Sequence, residues 1–155
     1  YAEAVRLKPH VFWLEEPIFP PEDYESLARL QRQTAVPIAA GENACTAFEF
    51  AAMFRAGAVT FAQPNVTRVG GITEFRKFAA LAETHGESLC AHSILFGPAY
   101  LATMHLLAAQ GRPGLMEKGM IPLETSLYGD VTEPVDGFLY PPSTLYYAPS
   151  PCSYG

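Results

Sequence analysis

Short apolar runs recur along this chain, and each encloses or ends on one polar residue: Glu15, Glu42, Asn65, His92 and Glu117, separated by 27, 23, 27 and 25 residues. Longer amphipathic stretches fill the gaps. Alternation of this kind is the pattern of βα units around a parallel sheet. A spacing near 25 with a polar group at each strand end predicts a (β/α)8 barrel, whose catalytic groups come from successive strand ends on one face. An open doubly wound sheet shares the spacing, but it gathers its ligand at a single switch point.

The runs place the elements. Val11–Leu14, Pro37–Ala40, Val59–Ala62, Ser88–Ala91 and Leu115–Glu117 read as strands. Tyr1–Leu7 reads as the last turns of a helix. Pro20-Pro21-Glu22-Asp23 reads as a helix start, with acidic residues near the positive end of the helix dipole. The helix it opens carries Tyr24, Leu27, Ala28 and Leu30 at a helical spacing of apolar positions. Thr46 and Glu49 have the spacing of a capping box, ahead of a helix with Phe50, Met53 and Phe54 on one side. Gly70-Gly71 precedes a helix carrying Phe75, Phe78, Ala79 and Ala82, and Tyr100–Ala109 forms another. Four to five βα units are visible, where a whole barrel needs eight and about 250 residues. The expected architecture is therefore α/β, the C-terminal part of a (β/α)8 TIM-type barrel, strands four to eight, incomplete. It occupies residues 1–137, and an irregular tail rich in proline and tyrosine follows over 138–155.

Composition closes off other classes. A formal net charge of −6 leaves no excess of Lys and Arg for phosphate, so no nucleic-acid partner is expected. No apolar run approaches the roughly 20 residues that span a bilayer. Cys45, Cys90 and Cys152 have neither a disulfide framework nor zinc spacing, which makes a reducing, cytoplasmic setting the default expectation.

Two carboxylates one βα unit apart, Glu15 and Glu42, can converge on one hard cation such as magnesium. The plainer reading is that both are solvated strand-end residues. Strand alternation puts Val11, Trp13 and Glu15 on one face and Phe12, Leu14 and Glu16 on the other, so only one of the adjacent glutamates can enter the mouth. His92, directly after Ser88–Ala91, is a candidate acid or base near neutral pH. His10, His85 and His105 lack that setting. Glu117 is either a hydrogen-bonding acid near an oxyanion or a surface partner of Lys118. Gly70-Gly71 either starts a helix or helps its amino terminus hold an anion.

The strings themselves carry a resemblance. Trp13-Leu14-Glu15-Glu16-Pro17 resembles the fourth-strand signature of the mandelate racemase and muconate lactonizing enzyme group of the enolase superfamily, and Pro37–Asn43 resembles its fifth. Residues 63–74, from Gln63-Pro64-Asn65 to Gly70-Gly71-Ile72-Thr73-Glu74, resemble the sixth strand and its loop. Ala91-His92-Ser93 with Phe96-Gly97-Pro98 resembles the seventh, and Leu115-Met116-Glu117 the eighth. The five signatures stand in the right order.

The resemblance implies magnesium-assisted abstraction of a proton next to a carboxylate, the cation offsetting charge that develops on the carboxylate oxygens. Glu15 and Glu42 would be metal ligands. His92 would be an acid or base, and Glu117 would hydrogen-bond the substrate carboxylate or the enediolate oxygen. The substrate would be a small carboxylate, a sugar acid or a 2-hydroxy acid, and the intact protein a homo-oligomer. A first metal ligand, a lysine base and an N-terminal capping domain are expected upstream of Tyr1. One position departs from the family pattern: Asn65 stands where an aspartate pairs with the histidine, and without that charge His92 should be a weaker base. A sugar-acid dehydratase, with the lysine taking the proton and His92 protonating the leaving hydroxyl, fits this better than a two-base racemase or epimerase. A barrel fragment with no activity of its own, and a phosphate-binding barrel enzyme resting on Gly70-Gly71, are the other readings.

Overall fold

The computed structural model describes residues 1–94, 97–111, 114–121, 124 and 128–143. Helix α1 (Ala2–Leu7) runs into a short 3-10 turn (Lys8–His10). Strands β1 (Leu14–Glu15), β2 (Ile38–Ala40), β3 (Phe61–Ala62), β4 (Ser88–Ala91) and β5 (Leu115–Met116) then alternate with helices α2 (Tyr24–Thr34), α3 (Ala47–Ala56), α4 (Ile72–His85) and α5 (Pro98–Ala108). All four strand pairs are parallel, in the order β1-β2-β3-β4-β5. A consecutive order has no switch point, so the doubly wound alternative falls and the sheet is the C-terminal part of a (β/α)8 barrel.

The helix faces follow from the spacing of their apolar residues. Leu27, Ala28 and Leu30 of α2 are buried, as are Phe50, Met53 and Phe54 of α3 and Phe75, Phe78, Ala79 and Ala82 of α4. They pack between helices and sheet with Ile38, Ala40 and Ala62. The rings of Phe50 and Phe78 meet at a centroid distance of 4.9 Å with their planes tilted by 36°. Burying a side chain of this size contributes about 1.5–3 kcal/mol. Caps fix where the helices begin: Asp23 Oδ1 accepts from the Ser26 N–H at 3.0 Å, and Thr46 and Glu49 form the reciprocal capping box.

Two expectations need correction. The first strand is later and shorter than the apolar run Val11–Leu14, because pairing with β2 begins only at Leu14. Phe12 and Trp13 also do not alternate between faces. Both rings lie on Phe61, at 5.5 and 5.0 Å, which strict alternation would forbid. Likewise β3 starts at Phe61 rather than Val59. Of the expected tail, residues 144–155, with Cys152, lie outside the described residues. Among the described residues no helix is long and apolar enough to cross a membrane.

Candidate active site

Each βα unit delivers one polar side chain to the carboxyl end of the sheet. Glu15 closes β1 and pairs with Ala39, while Gly41 carries the chain from β2 to Glu42. Asn65 follows β3, His92 follows β4, and the Glu117 N–H extends the β5 pairing by donating to the Ala91 carbonyl at 3.2 Å.

Four of the five meet. Asn65 Nδ2 lies 2.9 Å from His92 Nδ1, and His92 Nε2 lies 3.2 Å from Glu42 Oε2. Glu117 Oε2 stands 3.7 Å from the same Nε2, a charge contact beyond hydrogen-bond length. Glu117 is held from two sides, by Gln63 Nε2 on Oε1 at 3.3 Å and by the Ser93 N–H on Oε2 at 3.1 Å. Asn65, His92, Gln63 and Ser93 are all buried. Glu15 is exposed at the end of β1, and its charge adds to the upward shifts of Glu117 and Glu16.

The electrostatics are those of a site with surplus negative charge. Burial pushes the Glu117 carboxyl up. The Ser93 N–H and His92 oppose this, and Glu15 and Glu42 add to it. Burial and then Glu42 push Glu16 up, against hydrogen bonds from Gly41 and Asn43, with Glu15 adding a last increment. Burial, with Glu117 and Glu15, drives the Cys90 thiol up to about 12, so this cysteine is inert at neutral pH. Gln63 Oε1 and Ser93 Oγ are buried without a hydrogen-bond partner among the described residues.

A hard cation suits this donor set. Magnesium takes one or two carboxylates and completes its shell with water and substrate, and it would relieve the repulsion that adds to the effect of burial on Glu16 and Glu117. Among the described residues no three His, Cys, Asp or Glu side chains form a cluster able to hold a metal ion by themselves.

Reading the sequence missed a second layer. Glu16, at the left-handed φ of 37°, accepts from Asn43 Nδ2 through both oxygens, at 3.3 and 3.0 Å. Asn43 Oδ1 in turn accepts from Arg68 Nη1 at 3.0 Å. This chain links the loops after β1, β2 and β3. The double Glu15-Glu16 was its visible signal in the sequence, and in the structure Glu16 is the one bonded to Asn43. The surface pairing of Glu117 with Lys118 does not occur, since Lys118 Nζ bonds Glu133 at 3.0 Å. At Gly70-Gly71, the Gly71 N–H is committed to the Val66 carbonyl at 2.8 Å and Gly71 caps α4, which accounts for the pair as a helix start.

Polar side chains at consecutive strand ends, with an imidazole between two carboxylates, are the arrangement that the family signatures describe, Asn65 standing in the aspartate's place, and the enolase C-terminal domain-like model matches residues 2–145. The chain belongs to this enolase family. Among its relatives, D-galactonate dehydratase of Ralstonia nicotianae is 39% identical over 108 residues, 70% of this chain and 28% of that protein. The 3,6-anhydro-alpha-L-galactonate cycloisomerase of Streptomyces coelicolor is 39% identical over 105 residues, 68% of this chain and 27% of that protein. The chain thus spans little more than a quarter of the length of these curated relatives. A solved structure of L-talarate dehydratase from a Polaromonas species, complexed with Mg and L-glucarate, superposes with a TM-score of 0.64 at 36% identity, over 75% of this chain and 32% of that one. These three relatives of the enolase-family barrel segment are two sugar-acid dehydratases and a cycloisomerase.

Proposed function

We propose that this segment forms the carboxyl-side half of the active site of a magnesium-dependent sugar-acid dehydratase. The observation that carries the reading is the contact of Glu42, Asn65, His92 and Glu117 at four successive strand ends, in a chain whose relatives act on sugar acids. The reaction removes the proton next to the carboxylate and expels the hydroxyl on the following carbon as water. The enol that remains tautomerises to a 2-keto-3-deoxy acid.

Glu15 and Glu42 would hold the cation, which supplies Lewis-acid stabilisation of charge on the substrate carboxylate. Glu117, backed by Gln63 and Ser93, takes up a hydrogen bond from the substrate or shares a proton with its developing oxyanion. Its upward shift favours the protonated, donating form. His92 directs its Nε2 toward the same space and donates to the departing hydroxyl. The base that takes the carbon-bound proton is supplied by residues other than these. A two-base racemase is the weaker reading, because Asn65 carries no charge to support an imidazolium.

The test is to incubate the polypeptide, as its gene encodes it in full, with magnesium and a panel of aldonic and aldaric acids, following 2-keto acid formation. Turnover of at least one sugar acid, lost on His92→Asn, is the expected result. Exchange of the carbon-bound proton without loss of water would replace dehydration by epimerisation. No reaction with any acid would overturn the assignment.

A further inference from the structure

The contact between Asn65 and His92 specifies where the imidazole proton sits. Asn65 Oδ1 accepts from the Thr67 N–H at 3.0 Å, from the Thr67 hydroxyl at 2.7 Å and, more weakly, from the Arg68 N–H at 3.4 Å. Backbone N–H groups only donate, so the atom they surround must be the amide oxygen, and the amide cannot turn over without orphaning them. Its other end, the NH2 group, therefore faces His92 Nδ1 at 2.9 Å. An NH2 group is a donor, so Nδ1 must offer a lone pair.

We propose that Asn65, itself anchored by Thr67 and the Arg68 amide, is a positioning residue that fixes His92 as the neutral Nε2–H tautomer. The ring then shows the barrel mouth an N–H donor and no lone pair. An aspartate at position 65 would do the opposite. Its oxygens accept, so it would draw the ring proton to Nδ1 and free Nε2 to act as a base. The identity of one side chain thus sets whether the neutral ring offers the mouth a hydrogen-bond donor or a lone pair. The catalytic meaning of this device rests on the proposed dehydration, in which a donor is needed at the leaving hydroxyl. The place of the proton does not.

The experiment is nitrogen-15 NMR of the polypeptide as its gene encodes it in full, labelled at histidine, recorded without metal or substrate at a pH where the rings are neutral. His92 is assigned by loss of its signals in His92→Gln. The expected spectrum has a pyrrole-type shift at Nε2 and a pyridine-type shift at Nδ1. In Asn65→Asp the two types should interchange, and in Asn65→Leu the shifts should move toward the average of a tautomer mixture. A parent ring protonated at Nδ1, or already a fast mixture, overturns the proposal whatever the variants do. So does an Asn65→Asp spectrum that keeps the parent pattern. Because no turnover is measured, absence of dehydratase activity would count against the proposed function and leave this result standing.

Discussion

Gly41 holds Glu42 in place from the backbone side. It sits at φ 124°, a conformation that L side chains rarely adopt, and a Cβ there would stand 3.1 Å from Phe50 Cε1 and 3.4 Å from the Gln63 amide nitrogen. Neither neighbour can retreat, since Phe50 is packed in the core and the Gln63 N–H bonds the Ala40 carbonyl at 2.9 Å. Gly41→Ala should therefore cost about 1–3 kcal/mol in urea unfolding. It should also weaken magnesium binding by the whole protein in calorimetry, because Glu42 must shift. Parent-like values in both measurements would refute the account. Glu117 yields a pH prediction. Its carboxyl is raised mainly by burial, so the folded state binds the proton more tightly than the unfolded chain does. That contribution to stability is complete below the ordinary glutamate range and is lost as pH rises through the raised value. Glu117→Gln, which cannot ionise, should gain stability relative to the parent as pH rises from the ordinary glutamate range up through the raised value. A gap that stays constant or widens against the variant would show that burial is not the dominant cause. At this scale the sequence displayed the five strand-end residues because each closes an apolar run. It hid the Glu16–Asn43–Arg68 relay, because that relay needs a left-handed turn at Glu16 and partners 27 and 25 residues apart in the chain.

Among the elements, the helices were legible and the strands less so, for a physical reason. A helix is specified locally, by the period of its apolar face and by its caps. The burial of Phe75, Phe78, Ala79 and Ala82 on α4 follows from spacing alone. A barrel strand of two to four residues is specified by its neighbours' register, so Val11–Trp13 and Val59–Thr60, apolar enough to read as strand, remain outside β1 and β3. Only β4, Ser88–Ala91, coincides with its apolar run. The cap on α3 is the sharpest local device. Thr46 Oγ1 accepts from the Glu49 N–H at 3.2 Å, and Glu49 Oε2 accepts from the Thr46 N–H at 2.8 Å. Thr46→Ala should cost about 1 kcal/mol in urea unfolding, while Thr46→Ser should recover most of the loss. Failure of serine to recover stability would shift the credit from the hydroxyl to the threonine methyl.

For the whole molecule, the five-stranded order leaves β1 and β5 each paired on one side only, among the described residues. The β1 side is also apolar. Phe12 is 71% exposed beside Trp13 and Phe61, and on the β5 side Leu115 is 45% exposed. Closing a barrel removes such edges, and an open sheet with apolar rims is a template for further strands. The helical layer behind the sheet is well packed, so the chain can hold its secondary structure while its two outer strands stay paired on one side only. The 155-residue chain should therefore self-associate at roughly micromolar concentration and above. Sedimentation velocity across a dilution series should show larger species giving way to smaller ones. Phe12→Lys, which places a charge on the apolar rim without touching α2, α3 or α4, should shift that balance toward the monomer while leaving the circular dichroism unchanged. If the parent is monomeric at every concentration, both edges are covered in solution and the open-sheet argument fails. If association persists in Phe12→Lys, the β1 rim is not the surface that carries it, and the β5 edge with Leu115 becomes the one to charge next.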